Sequence, residues 1–355
     1  MPVTIADVAR LAGVSTATVS RVLTGIGRAR PATHERVVAA AAELDYRPSG
    51  IARSLKLRTT QTLGLIVTDI ENPFFPELVR AVENAAREAG FALLLCNAAD
   101  DPEREVSSLD LLIERRVDGV IIAASSLPAD HAAWLGSITV PVVLVNCAGS
   151  DAPRPAIRSD NVRGGEIAAE HLLSLGHRRV AILTAPPRNW DAVDRAGGAR
   201  STLLSAGIAA DAIVVERGPA EVAGGEAAMA VVLERDPDVT GIIAYNDQMA
   251  IGALRAIRAS GRRVPADVSV VGFDDVQLAA YVAPPLTTIV QATAEMGRWA
   301  VERLRELLAA GQAGRAAEPA SGQLVASPEH VVLPVRLVIR DSSGPAPGPA
   351  PGRNP

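Results

Sequence analysis

The sequence predicts two architectures in one chain: an all-α helix-turn-helix unit at the front and a two-lobed α/β body behind it. Three observations carry this. Residues 1–47 hold three helical patterns and no strand pattern. From residue 61 onward, short continuous apolar runs alternate with longer helical patterns, as in parallel sheets covered by helices on both faces. Those runs come in two successive series, which implies two similar lobes with a cleft between them.

The front unit is read helix by helix. Thr4 starts the first stretch, TIADVARLAG, with Asp7 in its first turn and Gly13 as its stop. Ile5, Val8, Ala9 and Ala12 recur at i, i+3, i+4 and i+7 and so share one face. The second stretch, VSTATVSRVL, has Ser15 as its N-cap candidate, and Val19, Val22 and Leu23 form its apolar side. Pro31 opens the third, PATHERVVAAAAELDY, at the first helical position, where an N–H has no partner to lose. A helix, a Gly-containing turn and a second helix make a helix-turn-helix. The other face of the second helix shows Thr16, Ala17, Ser20 and Arg21, small or hydrogen-bonding side chains with one cation. Such a face suits a helix entering a DNA major groove about 12 Å wide. Helical pattern alone fits any small three-helix bundle as well.

Composition bounds the rest. The 355 residues are 48% hydrophobic and 21% charged, enough for a large core, but only 3% aromatic, so that core is aliphatic. No apolar run reaches the roughly 18 residues of a membrane span, and no signal-peptide h-region follows the N-terminus. A cytoplasmic protein is expected. Cys96 and Cys147 sit in apolar, strand-like runs without His/Cys partners at metal spacing, so two reduced thiols and no metal are expected. The net charge of −5 is uneven: residues 1–60 hold nine Lys/Arg against four Asp/Glu, which makes +5 and leaves −10 for the remainder. A basic front suits an anionic partner; on charge alone a solvated helical surface fits equally.

In the body, the first strand series is LGLIVT (63–68), FALLLC (91–96), GVIIAA (119–124) and VVLVN (142–146); the second is RVAILT (179–184), AIVVE (212–216), GIIAY (241–245) and VSVVGF (268–273). Ligands of open α/β sheets lie beyond the carboxyl ends of the strands, so the cleft is the expected ligand site. No G-x-G-x-x-G or G-x-x-x-x-G-K-[ST] occurs, which disfavours dinucleotides and nucleoside triphosphates, and no cofactor is expected. The five histidines are scattered, and Asp274 and Asp275 are adjacent rather than facing. Binding is expected rather than catalysis. Residues 309–323 read as a surface loop, and 343–355 as a disordered Pro/Gly-rich tail without leucine heptads.

TIADVARLAGVSTATVSRVLTG, RVVAAAAELDYRPSGIARSLK and TLGLIV, then DN at 160–161, HLLSLGHRRVAIL, NDQMAIGAL, VPADVSVVGFDD and PPLTTI, occur in one order along nearly the whole chain. In these pieces the chain resembles the lactose/galactose repressor (LacI/GalR) family of bacterial transcriptional regulators. The resemblance implies a DNA-binding headpiece (1–47), a hinge helix and linker (48–60), a periplasmic-binding-protein-like (type I) effector and dimerisation domain (61–342) and the tail (343–355). It implies a homodimer on pseudo-palindromic double-stranded operator DNA, with a small effector between the lobes. Thr16, Ala17 and Arg21 would read bases. Thr4, Ser15, Thr18 and Ser20 would meet phosphates, Arg53, Lys56 and Arg58 would supply phosphate charge at the hinge, Arg28 would also contact DNA, and Leu55 would wedge into the minor groove. The helix within that segment, about nine residues long, is shorter than the roughly 12–15 residues at which isolated helices become marginal, so it would fold only with its partner and DNA.

The same resemblance points to Asn72, Phe74, Phe75, Asn146, Asn189, Trp190, Asp191, Arg195, Asn246 and Asp274 in the effector cleft. Planar amides, a carboxylate, a guanidinium and an aromatic wall suit a sugar, with a nucleoside or purine as the alternative. There are departures. Asn146 stands where many relatives carry Asp. Ala220 stands near a stacking aromatic, for which Trp190 could compensate across the cleft. Arg30 replaces the usual Ser cap before Pro31. A solute-binding protein without DNA function would bring an export signal and no front bundle, the reverse of what is seen.

Overall fold

The structure is a computed structural model that describes residues 3–24, 29–46, 59–124, 138–147, 154–187, 189–316 and 329–348. It divides into two compact units, Met1–Thr62 with Arg116–Asp118, and Leu63–Arg115 with Gly119–Pro355.

The first unit holds α1 (Ile5–Ala12), α2 (Thr16–Thr24) and α3 (Pro31–Glu43). Val8, Val19 and Val37, one from each helix, are fully buried and form the centre of its small aliphatic core. Gly13 ends α1 with φ 65°, left-handed backbone that glycine adopts without a Cβ clash. The Asp7 carboxylate accepts from the Thr4 N–H at 2.9 Å and the Thr4 hydroxyl at 2.7 Å. Those bonds, led by the hydroxyl, hold its pKa below the usual carboxylate value. Ser15 Oγ accepts from the Thr18 N–H at 3.2 Å and so caps α2. Arg30 precedes α3 without any side-chain cap bond.

The second unit has two six-stranded sheets. In chain order its elements are β1 (Thr62–Val67), α4 (Phe74–Glu88), β2 (Ala92–Asn97), α5 (Pro102–Glu114), β3 (Gly119–Ala123), β4 (Val142–Val145), β5 (Ala156–Ser159), α6 (Asn161–Ser174), β6 (Val180–Thr184), α7 (Trp190–Ser205), β7 (Ile213–Arg217), α8 (Val222–Arg235), β8 (Gly241–Ala244), α9 (Asp247–Ala259), β9 (Ser269–Asp274), β10 (Thr287–Val290), α10 (Thr293–Ala316), β11 (His330–Leu333) and β12 (Arg336–Val338). The first lobe's sheet runs β11-β5-β4-β3-β1-β2, the second's β12-β10-β9-β8-β6-β7. β12 pairs antiparallel with β10, whereas the pairs β10–β9, β9–β8, β8–β6 and β6–β7 are parallel.

The lobes are not consecutive in sequence. The chain crosses between them after β5, after β10 and between β11 and β12. Met296, Ala300, Val301 and Leu304 of α10 return to complete the first lobe's core. A buried polar cluster marks the crossings. Gln291, just past β10, accepts at Oε1 from the Ser159 hydroxyl at 2.6 Å and from Asn146 Nδ2 at 3.1 Å. Its Nε2 donates to Asp274 Oδ1 at 2.7 Å, and Asn146 Oδ1 accepts from the Ser159 N–H at 2.9 Å.

In the second lobe the helices pack in backbone-close pairs. A Cβ on Gly165 of α6 would lie 2.0 Å from the Arg195 carbonyl oxygen of α7. A Cβ on Gly252 of α9 would lie 2.0 Å from that of Val222 in α8. These approaches exist because the glycines lack side chains, and the first sets the depth at which Arg195 enters the cleft.

Three sequence expectations change. The loop expected over 309–323 is helical up to Ala316, because α10 continues through a run rich in Leu and Ala, good helix formers; residues 317–323 lie outside the described residues. The tail expected to be disordered from 343 holds contacts with the second lobe as far as Ala346. His171 Nε2 meets Ser343 Oγ at 2.8 Å, His177 Nε2 meets the Gly344 carbonyl at 3.1 Å, and the Ala346 N–H donates to Leu175 at 2.8 Å. Pro/Gly composition shows that a segment cannot build its own core, not that a lobe offers partners to its backbone. Residues 349–355 are outside the described set. Strands β5, β10, β11 and β12 were not among the expected runs, because they are short and carry polar residues such as Arg158, Thr287 and Thr288.

Gly165→Ala is expected to lower the unfolding free energy of the body by about 1–3 kcal/mol, the usual cost of overpacking, read as a lower urea midpoint. Gln291→Leu leaves Asn146, Ser159 and Asp274 short of partners, and should cost about 1–3 kcal/mol in the same titration. An unchanged midpoint in Gln291→Leu would mean that the cluster does not hold the crossings.

Candidate functional site

In the first unit, α2 presents a polar face of small side chains and one cation. Ser15, Thr16, Ala17 and Arg21 are exposed, and Thr18 and Ser20 are half-buried. The Ser15 and Thr18 hydroxyls lie 2.9 Å apart at the start of α2. Thr4 is exposed at the start of α1, its hydroxyl on Asp7. The structure thus brings Ser15, Thr16, Ala17, Thr18, Ser20 and Arg21 together on or beside one helix. Arg28, Arg53, Leu55, Lys56 and Arg58 lie outside the described residues.

In the second unit a cavity of about 590 Å³ lies between the lobes, within the range of small-molecule sites. It opens where strands end. Thr68 follows β1, Ala124 follows β3, Asn146 follows β4, Tyr245 follows β8, Asp274 closes β9 and Gln291 follows β10. All ten residues expected in the cleft line it: Asn72, Phe74, Phe75, Asn146, Asn189, Trp190, Asp191, Arg195, Asn246 and Asp274.

Arg195 is the most constrained. It is 6% exposed. Its Nε donates to Asn161 Oδ1 at 2.8 Å and its Nη1 to the Tyr245 carbonyl at 2.8 Å. The guanidinium lies 3.7 Å from the Phe273 ring centroid and 4.8 Å from that of Tyr245, so aromatic faces fix its plane. It reaches Asp191 at 3.4 Å and Asp274 at 3.7 Å. Burial lifts the Asp274 carboxyl to about 7, against the lowering effect of Arg195 and of the Gln291 bond. Asp191 also accepts from the Tyr245 hydroxyl at 2.7 Å, and burial raises the pKa of that phenol further.

Two expected ligand readers hold the protein itself. Asn246 Oδ1 caps α9 by accepting from the Met249 N–H at 2.8 Å, and its Nδ2 donates to the Ala220 carbonyl at 2.9 Å. Asn146 holds Gln291 and Ser159. Asp247, second residue of the Asn-Asp pair, turns away from the cavity. It is fully buried, accepts from the Val276 N–H at 2.9 Å and from the Thr288 hydroxyl, and is pushed upward by burial.

The walls are aromatic on both sides. Phe74 and Phe75 pack edge to face, centroids 5.3 Å apart, on the first lobe. Trp190 begins α7 on the second lobe and is 54% exposed. Trp190 and Ala220 both belong to the second lobe and line the same cavity. Across the mouth, Arg158 Nη1 pairs with Asp194 at 3.3 Å. Arrangements of this kind bind: fixed amide, carboxylate and guanidinium groups surround a ring-sized space with aromatic sides.

Sequence reasoning missed Gln291, Tyr245, Asn161 and Arg158 as lining residues. A signal existed for Gln291 and Tyr245, since each follows the carboxyl end of a strand. β10 went uncounted as a strand, so Gln291 went with it. Asn161 and Arg158 act through tertiary partners and carry no local signal.

Family comparisons fit this geometry. Residues 4–49 match "Bacterial regulatory proteins, lacI family", and residues 60–329 match "Periplasmic binding proteins and sugar binding domain of LacI family". The chain is 37% identical over 304 residues to the HTH-type transcriptional repressor PurR of Haemophilus influenzae (strain PittEE), covering 85% of this chain and 90% of that one. It is 37% identical over 302 residues to the ribose operon repressor of Escherichia coli (strain K12), covering 85% and 92%. Among solved structures, the Lac repressor dimer bound to operator and the anti-inducer ONPF superposes with a TM-score of 0.85 at 31% identity, covering 97% of this chain and 100% of that one. A cored helix-turn-helix unit and a two-lobed cleft, matched in order along the sequence, place the chain in the lacI family of bacterial regulatory proteins.

Proposed function

We propose that this chain is a cytoplasmic transcriptional repressor of a carbohydrate-utilisation operon that binds pseudo-palindromic operator DNA as a homodimer and is controlled by a sugar in the cleft. One observation carries the reading: the exposed α2 face of Thr16, Ala17 and Arg21 belongs to the same chain as the ten-residue cleft. A regulator needs both, whereas a solute-binding protein needs only the second. The family relatives, repressors by name, support regulation over catalysis, and the solved dimer on operator supports the assembly.

In this reading Arg21 and Thr16 hydrogen-bond base edges and Ala17 makes apolar contact, such as with a thymine methyl. Thr4, Ser15, Thr18, Ser20 and Arg28 fix the register on phosphates. Leu55, between Arg53 and Lys56, kinks the duplex at the hinge. An effector touching Phe75 of one lobe and Arg195 and Asp274 of the other favours the closed arrangement of lobes, which changes the spacing of the paired hinges. A nucleoside or purine is the second reading. It is favoured by aromatic residues on both lobes, Trp190 on one and the phenylalanine pair on the other.

Operator duplexes selected from a randomised pool test the assignment. Arg21→Ala should lose about 1–3 kcal/mol of base discrimination with an unchanged helical circular-dichroism spectrum. Equal affinity for selected and scrambled duplexes in the wild type would remove the repressor reading. Leu55→Ala should bend the duplex less in a phasing assay. Effector affinity should also depend on pH. A ligand hydroxyl donating to Asp274 needs the ionised carboxyl, so binding expels a proton from a group that titrates at about 7. Affinity then falls as pH drops below that value and levels off above it, and Asp274→Asn flattens the slope in calorimetric titrations.

A further inference from the structure

The cleft has a charge imbalance. Among the described residues, six acids line it: Asp69 and Asp100 from the first lobe, and Asp191, Asp194, Glu221 and Asp274 from the second. Two arginines oppose them, Arg158 and Arg195. Both are already engaged. Arg158 pairs with Asp194 at 3.3 Å, and Arg195 lies between Asp191 and Asp274 with two of its nitrogens donating to Asn161 and the Tyr245 carbonyl. Neither stands ready as a phosphate clamp.

Helix N-termini are the other usual anion sites, and those of the second lobe at the cleft carry acids of their own. Asp160 caps α6, its carboxylate accepting from the Arg163 N–H at 3.0 Å. Asp191 lies in the first turn of α7 and Glu221 occupies the N-cap position of α8. A phosphoryl group entering here meets fixed negative charge at the places that ordinarily attract it.

We propose that the cleft takes an uncharged, polyhydroxylated ring compound and rejects its phosphoester. The inference rests on the cleft being the effector site and deepens that reading. The regulator would thus sense a free sugar or nucleoside before any phosphorylation step consumes it. Uncharged ligands lose little by entering an acidic cavity, because their hydroxyls donate to carboxylates. Phosphoesters carry charge of the wrong sign into a partly desolvated site, where repulsion is screened less than in bulk salt.

The test uses the full chain at fixed pH and ionic strength. Thermal shift and calorimetry are run on matched pairs: D-ribose with ribose 5-phosphate, D-glucose with glucose 6-phosphate, and adenosine with adenosine monophosphate. The tightest member is expected to be unphosphorylated, with its phosphorylated twin weaker by at least about tenfold. In the double variant Asp69→Asn/Glu221→Gln that ratio should shrink. A phosphorylated member that binds as tightly as its twin, or more tightly, overturns the charge rule alone. A ratio unmoved by the double variant overturns its electrostatic cause. A panel in which no member shifts the melting point removes the cleft as an effector site and this inference with it, while the DNA-binding half of the proposed function is judged separately on the selected duplexes.

Discussion

Much of the body depends on one buried amide. Gln291 sits where the chain leaves the second lobe for the first, and it joins Ser159 and Asn146 of the first lobe to Asp274 of the second. Buried polar groups are costly unless satisfied, and satisfied networks specify one geometry. A single side chain therefore does two jobs: it ties the crossing segments together, and it presents one edge of Asp274 to the protein while the carboxyl lines the cavity. The floor of the site and the junction of the lobes are the same hydrogen bonds, so occupancy of one bears directly on the arrangement of the other.

Around that hub the second lobe is assembled from small residues. Backbone-close pairing of α6 with α7 and of α8 with α9 replaces the bulky aromatic packing that this chain lacks. Phe273 packs in the second lobe's core and also supports the Arg195 guanidinium, 3.7 Å from its ring centroid. An arginine at that depth is tolerable because carbonyl, amide and carboxylate groups surround it. The result is a pre-organised donor whose plane is set before any ligand arrives, which lowers the ordering cost of binding.

Legibility in the sequence differed by level. Helices of the front unit were readable from i, i+3, i+4 spacing and from Thr4, Gly13, Ser15 and Pro31, because caps and stops are local chemistry. Eight strands were readable as continuous apolar runs; six of them are inner, buried parallel strands, whereas β2 and β7 lie at sheet edges. Strands such as β5 and β10 were not, since their neighbours rather than their composition make them strands. Resemblance to a family brought ten residues to the cleft, but it could not show that Asn246 and Asn146 also serve as cap and junction. That dual use depends on which backbone groups lie within hydrogen-bonding distance. The packed segment 343–346 failed for the same reason: its partners, His171, His177 and Leu175, are more than 160 positions away in sequence.

By itself, the sequence determined the order of the units, the face of α2 that is left polar, and the placement of site residues at strand ends, because periodicity and capping act over a few residues. Tertiary structure alone decided which of those residues hold the protein and which face the cavity, how deep Arg195 enters, and that acids outnumber arginines there. Those properties arise from long-range juxtaposition: a charge or an amide has a meaning only once its neighbours, and the water it has lost, are known.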